Sequence, residues 1–419
     1  MVLEHGKSLP KDDWQRKYYW DLRKTVWQCS RCSTCRWIDS WEVKNARFAR
    51  ICPSSGKYLF DTYSAQGRMD VALALIDGAL SYEDSSQIVD IMYKCTMCGG
   101  CDAACKRVQD MEVLRVMQEI RARLVSDGQL LPAHIATIDG LRREDNMLMQ
   151  PKANRGKWAE GLGVKNITEE SAEVLYHAGC RFSYDEDLWK IARAGVTILK
   201  NAGVDIGIMG SEEACCGGPA YNLGYQGEFT KYATHNMELW NTMKIKTIVT
   251  PCSDCYQAFK VLYPEADRKV EVLHLVEYLD RLIKAGKIKL TKKVPLLVTY
   301  HDPCHLGRMS KPYVPGDPLD GVYQPPRDIL MSIPGVELVE MYRIKENAWC
   351  CGAGGGVKSA YPDFSSWTAG ERIEEAKATG AEALVTACPW CERNFIDAIK
   401  ERGDTIKIYD VVELVQQAI

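Results

Sequence analysis

Apolar positions recur at spacings of three and four along much of the first third of the chain, the period of a helix with one face turned inward. Trp14, Tyr18, Tyr19, Trp20 and Trp27 follow that spacing within an otherwise polar extension, residues 1–28. Such a stripe packs on the domain that follows it or docks a partner subunit. Val71, Ala72, Leu75, Ile76 and Leu80 carry the same pattern through 64–93, where Asp84-Ser85-Ser86 signals a helix start. Met111, Leu114, Met117, Ile120 and Leu124 predict a long helix over 107–128. The stretch 140–170, rich in Arg, Asn, Lys and Gly, reads as a linker.

Beyond residue 170 the pattern changes and then repeats, at a period of about 125–136 residues. AEVLYHAGC (172–180) matches LLVTYHDPC (296–304). In each, a Tyr-His pair precedes a cysteine: Tyr176-His177 before Cys180, and Tyr300-His301 before Cys304. A helical stretch and a short strand follow each (204–208; 336–341), then a helix-like segment (226–243; 364–379). Each unit then reaches a β-branched run ending in C-x-x-C: IKTIVTPCSDC (245–255) and AEALVTACPWC (381–391). VEVLHLVEYLDRLI (270–283) and IKIYDVVELVQQAI (406–419) close the units alike. Strands alternating with helices predict two small α/β units with mostly parallel sheets. Each C-x-x-C falls where a strand gives way to a helix, the usual place for ligand-holding loops in open sheets.

The cysteines sharpen this picture. There are 18 in 419 residues, and none is left over when they are sorted. Cys29, Cys32, Cys35 and Cys52 come first, then Cys95, Cys98, Cys101 and Cys105. Each repeat adds five, including a vicinal pair: Cys180, Cys215, Cys216, Cys252 and Cys255; then Cys304, Cys350, Cys351, Cys388 and Cys391. The run 95–105 has the C-x2-C-x2-C-x3-C spacing of bacterial-type ferredoxins, in which three thiolates hold one cubane and the fourth reaches the other. Cys29, Cys32, Cys35 and Cys105 then hold one [4Fe–4S] cubane, and Cys52, Cys95, Cys98 and Cys101 a second. The 64–93 segment is too long for a small β-type ferredoxin, so the expected domain, 29–150, is a helical ferredoxin-like one. Two zinc sites are the alternative, although zinc more often takes two C-x-x-C pairs.

Five cysteines exceed the need of a cubane, and adjacent residues such as Cys215 and Cys216 cannot readily reach two separate corners of one cube. A five-cysteine set with a vicinal pair points to an opened, noncubane cluster with a thiolate bridging two irons. The glycines that follow, Gly217-Gly218 and Gly352, allow close backbone approach. The run Gly354-Gly355-Gly356 lacks the preceding strand and the Lys-Ser/Thr of a phosphate loop. His177, His301 and His305 flank these cysteines, either as hydrogen-bond donors to sulfur or as satisfied core residues.

Composition narrows the setting. A net charge of −3 gives no basic field for nucleic acid or an anionic membrane. No apolar run spans a bilayer and the N-terminus lacks a signal-peptide core, so the expected location is cytoplasmic. Reducing surroundings favour thiols over disulfides, and so many thiolates suit a habitat poor in oxygen.

The doubled pattern C-x(n)-C-C-G-x(n)-C-x-x-C resembles the CCG domains of heterodisulfide reductase. A fused form, the D-type polypeptide of that enzyme, joins two of them to an N-terminal two-cubane region, the order found here over about residues 25–419. The resemblance implies a multi-domain α+β chain: an extension (1–28), the cluster domain (29–150), and CCG domains at 170–290 and 294–419. It implies four [4Fe–4S] clusters, two cubane and two noncubane, each five-cysteine set holding one of the latter. It further implies an anaerobic oxidoreductase complex in which a disulfide, in the family the mixed disulfide of coenzymes M and B, is split between the noncubane clusters, with His301 and His305 as candidate catalytic groups. A flavin-containing subunit resembling heterodisulfide reductase A is the implied partner. Similar subunits serve class II benzoyl-coenzyme A reductase complexes and flavin-dependent lactate or glycolate dehydrogenases. A relay or scaffold without substrate is the non-enzymatic alternative.

Overall fold

A computed structural model describes residues 21–314, 316–318 and 320–419. The predicted aromatic helix lies mostly outside these residues; its last part, Leu22–Trp27, is helical and capped by the Asp21 side chain, which accepts from the backbone N–H of Lys24.

Residues 29–131 fold as short helices and 3-10 turns, with an isolated antiparallel bridge between Trp37 and Arg50. Helices Ala65–Ile76, Gln87–Tyr93 and Val113–Ser126 surround a core of Met69, Ala72, Met92, Val116, Met117, Ile120 and Leu124. The long helix starts at Val113, six residues later than its apolar spacing predicts. The cause is Asp102, whose carboxylate accepts from the Leu114 N–H at 2.9 Å and holds the preceding residues in a turn.

Two parallel sheets follow. The first is ordered β1-β3-β2-β4-β5: β1 Lys165–Asn166, β2 Val174–Tyr176, β3 Ile206–Ile208, β4 Thr247–Thr250 and β5 Glu271–His274. The second is ordered β7-β6-β8-β9: β6 Leu296–Tyr300, β7 Val336–Leu338, β8 Ala383–Thr386 and β9 Lys407–Asp410. Apart from the extra edge strand, the two orders are identical, and so are the registers. Tyr176 lies opposite Val249 as Tyr300 lies opposite Val385; Thr250 lies opposite His274 as Thr386 lies opposite Asp410. Each last strand ends in a capping box, His274 with Glu277 and Asp410 with Glu413.

The 140–170 segment is not a plain linker. Pro132–Glu144 is a helix, and β1 pairs in parallel with β3 at the edge of the first sheet. Two-residue strands carry almost no periodic signal, so β1 is invisible to pattern reading. One large core spans both sheets and includes Tyr176, Val249, Val298, Tyr300, Val385 and Val415. Among the described residues no helix is long and apolar enough to cross a membrane.

Candidate metal centres

Both N-terminal triplets are bent into the same loop. In C-S-R-C-S-T-C, Arg31 and Ser33 have φ of 56° and 65°; in C-T-M-C-G-G-C, Met97 and Gly99 have φ of 54° and 70°. The left-handed residues thus stand at the same two places relative to the cysteines. For the three that are not glycine this conformation costs about 1 kcal/mol each, so something must hold it. Cys29, Cys32, Cys35 and Cys105 line one cavity, closed by Gln66, Met69 and Met111. Cys52, Cys95, Cys98 and Cys101 line another, with Ile51, Leu114 and Met117. These are the two groups of four expected from the spacing. Burial pushes the thiols of Cys35 up to about 12 and of Cys52 and Cys105 up to about 11. Thiolates in such places need a cation to stabilise them.

In the CCG units the C-x-x-C motifs sit where expected. Cys252 and Cys388 cap the helices Ser253–Gln257 and Pro389–Arg402, directly after β4 and β8. The thiols run in a chain of contacts, Cys180–Cys215–Cys216–Cys255–Cys252. The second unit repeats it as Cys304–Cys350–Cys351–Cys391–Cys388. In both, the second member of the vicinal pair is drawn down to about 5, first by its neighbour (Cys215 or Cys350), then by Cys255 or Cys391. Gly179, at φ 77°, is needed because a Cβ there would lie 2.9 Å from Cys255 Sγ. All 18 cysteines are free thiols. Soft donors in sets of four, four, five and five, most of them buried and none joined by a disulfide, fit iron–sulfur clusters.

Three of the four sets touch in a line. Cys98 contacts Cys350, and Cys252 contacts Cys388. At the second junction the Ser253 hydroxyl donates to the Ala387 carbonyl at 2.9 Å, and His305 Nδ1 hydrogen-bonds Asp254 Oδ1. Burial pulls the His305 imidazole down, but the Asp254 carboxylate outweighs it and the pKa is raised. His177 and His301 are buried and lowered, to about 4 and about 3, by desolvation first. His177 Nδ1 lies 3.7 Å from Glu213 Oε2; His301 Nδ1 lies 3.1 Å from Arg372 Nε.

Sequence reading misses the buried arginines that hold the sets in place. Arg308 donates to the carbonyls of Cys98 at 3.0 Å and Ala348 at 2.7 Å. Arg121 donates to those of Cys95 at 2.7 Å, Asn222 at 2.8 Å and Gly355 at 2.9 Å. Arg155 lies 3.0 Å from Glu213 and 3.7 Å from Cys180 Sγ. Arg343 and Arg372 share Glu375. Of the acids near these sets, Glu213 and Asp254 carry a local signal, being two residues or fewer from a cysteine, whereas Glu375 does not. A further cavity, about 730 Å³ and lined by Asp145, Lys152, Tyr232, His235 and Glu238 among others, has no cysteine in its wall.

Comparison with known proteins agrees with this geometry. Residues 174–260 and 298–396 match the cysteine-rich domain family, CCG. The chain is 31% identical to the D-type polypeptide of the dihydromethanophenazine:CoB–CoM heterodisulfide reductase of Methanosarcina mazei, over 93% of both chains. It is 30% identical to the probable iron-sulfur-binding oxidoreductase FadF of Bacillus subtilis, over 91% of this chain and 53% of that one. It is also 30% identical to the EtfAB:quinone oxidoreductase of Syntrophomonas wolfei, over 79% of this chain and 47% of that one. A hypothetical protein of Helicobacter pylori shares the fold, with a TM-score of 0.56 at 9% identity over 85% of this chain and 67% of the other. Two CCG units in a full-length match place the chain in the D-type family of heterodisulfide reductase polypeptides, which are iron–sulfur electron-transfer subunits.

Proposed function

We propose that the chain is the disulfide-reducing component of an anaerobic redox complex, with two cubane [4Fe–4S] clusters in a helical ferredoxin-like N-terminal domain and one noncubane [4Fe–4S] cluster in each CCG unit. Cys29, Cys32, Cys35 and Cys105 would hold the first cubane, and Cys52, Cys95, Cys98 and Cys101 the second. Cys180, Cys215, Cys216, Cys252 and Cys255 would hold one noncubane cluster; Cys304, Cys350, Cys351, Cys388 and Cys391 the other. When bound, these clusters supply one-electron redox chemistry. The domains are taken as 29–150 for the cubanes, the first CCG unit extended back to include β1, and 294–419 for the second. A flavin-containing subunit is the proposed partner.

One observation carries the reading: the two five-cysteine sets meet end to end at Cys252 and Cys388. Reducing a disulfide takes two electrons and two protons and yields two thiols, so a site flanked by two redox centres suits it. The chain's own part is to converge the thiols, keep them from water, and present polar groups at that seam. Asp254, Ser253 and His305 are there, with His305 Nε2 buried and unpartnered. The test is a redox titration of the anaerobically purified complex, followed by EPR, with candidate thiols added. A paramagnetic state that forms only with one thiol supports substrate at the seam. A spectrum indifferent to every thiol would favour a relay without substrate.

A further inference from the structure

The two CCG units hold a matching histidine against matching neighbours. His177 and His301 each follow the tyrosine that ends β2 or β6, three residues before the first cysteine of their set. His177 packs edge-on against Phe259 at 4.7 Å and 87°; His301 packs against Phe395 at 4.9 Å and 88°. Each phenylalanine lies four residues after the last cysteine of its set, Cys255 or Cys391. Position and ring packing are therefore shared.

What faces Nδ1 is opposite in charge. In the first unit it is Glu213, a carboxylate that also accepts from Arg155 and from the N–H groups of Ala178 and Gly179. In the second it is the Arg372 guanidinium, which has only protons to offer. A carboxylate calls for a proton on Nδ1. A guanidinium forbids one, so the His301 ring proton must sit on Nε2. That Nε2 is buried and lacks a partner. A ring nitrogen of His301 and the Sγ atoms of Cys351 and Cys391 lie within 4.8 Å of one another, and Nδ1 is already taken. Among the described residues this is the one such trio around a histidine and cysteines.

We propose that the twin histidines are locked in opposite tautomers, and that His301 alone gives an N–H···S hydrogen bond to the cluster thiolates of its unit, as a positioning residue and not an iron ligand. Ligation through Nε2 would put the proton on Nδ1, against Arg372. In the first unit the sulfur-facing donor is Arg155 instead, at 3.7 Å from Cys180 Sγ. Hydrogen bonds to cluster sulfurs raise a reduction potential, so the two noncubane centres are set by different groups and can be moved separately. This rests on the proposal that each five-cysteine set holds a cluster.

The test uses the complete protein, purified without oxygen and labelled with histidine carrying 15N at either Nε2 or Nδ1. Electron–nuclear double resonance on the second noncubane centre is expected to show a weak nitrogen coupling from the Nε2 label and none from the Nδ1 label. H301L should abolish the coupling and move that centre's midpoint potential to more negative values, while H301Q, which keeps an N–H donor, restores the potential. H177L should leave that centre unmoved. A coupling of the size of a direct iron ligand, a coupling from the Nδ1 label, or a signal from the second centre without nitrogen coupling each overturns the tautomer assignment alone. Finding no noncubane signal in the unaltered protein overturns both this inference and the cluster reading beneath it.

Discussion

The first and second CCG units differ little in backbone and much in charge. Strand order, register, the placing of the vicinal cysteines and the chain of thiol contacts are the same in both. At the first set the buried arginine is Arg155, balanced by Glu213. Around the second there are Arg308, Arg343 and Arg372, with Glu375 between the last two, and a further buried pair of Arg327 with Asp302. The side chains that hold the vicinal pair differ as well. The carbonyl of its second member accepts from the Tyr263 hydroxyl at Cys216 and from the Asn394 amide at Cys351, and in the first unit Asn236 also donates to the Cys215 carbonyl. Duplication kept the sulfur positions, which the metal dictates, and let the surrounding polar groups diverge, which set how each centre behaves.

The largest test of this comparison removes a sulfur. The complete protein is expected to carry about sixteen irons, four per cluster. C216S or C351S should each lower this by about four and erase one noncubane EPR signal, leaving both cubane signals. Loss of a cubane signal instead would break the division into separate sets. C98S sharpens it further: Cys98 touches Cys350, so this change should disturb the second noncubane signal along with its own cubane, and spare the first.

Next in size are the buried acids. Removing one partner of a buried ion pair costs about 3–5 kcal/mol. Glu213→Ala strands one arginine, whereas Glu375→Ala strands two, so the second should lower the melting temperature more in anaerobic calorimetry. Equal losses would mean that the charge asymmetry has no energetic weight.

Acid should loosen the N-terminal face of the second unit. His134 Nε2 donates to the Gly356 carbonyl, and burial, aided by Arg121, holds its pKa at about 4 against an ordinary 6.5. The unfolded chain therefore binds the extra proton first, as pH falls. The stabilisation, up to roughly 3 kcal/mol, is complete above pH 6.5 and is lost between there and about pH 4. In denaturant titrations H134Q should flatten the stability profile over that window.

The smallest effect lies on the surface. Lys246 pairs with Glu173 just before the inner strands β4 and β2, both largely exposed, and the second unit has Glu382 in the place of Lys246. Lys246→Ala should cost less than about 1 kcal/mol, and less still in high salt.

The repeat, the strands that end in C-x-x-C and the grouping of cysteines are legible because each rests on local spacing. Helices 226–242 and 362–377 lie within two residues of their predicted bounds. Strand β1 and the late start of the 113–126 helix are not, since a distant strand and the Asp102 side chain decide them. The arginines are illegible for a related reason. Arg121 reaches carbonyls 101 and 234 residues away in the chain, and no period or motif marks a donor whose acceptors are bare backbone.

Those guanidinium-to-carbonyl bonds bear on how such a protein can be packaged. Arg121 and Arg308 stitch the cysteine-rich N-terminal segment to loops of the CCG units without help from the peptide chain between them. A cut between the N-terminal segment and the CCG units would leave these bonds in place, and the pieces are expected to stay together as a pair of polypeptides. Whether such an assembly is written as one reading frame or two is then a matter of genetics more than of mechanics.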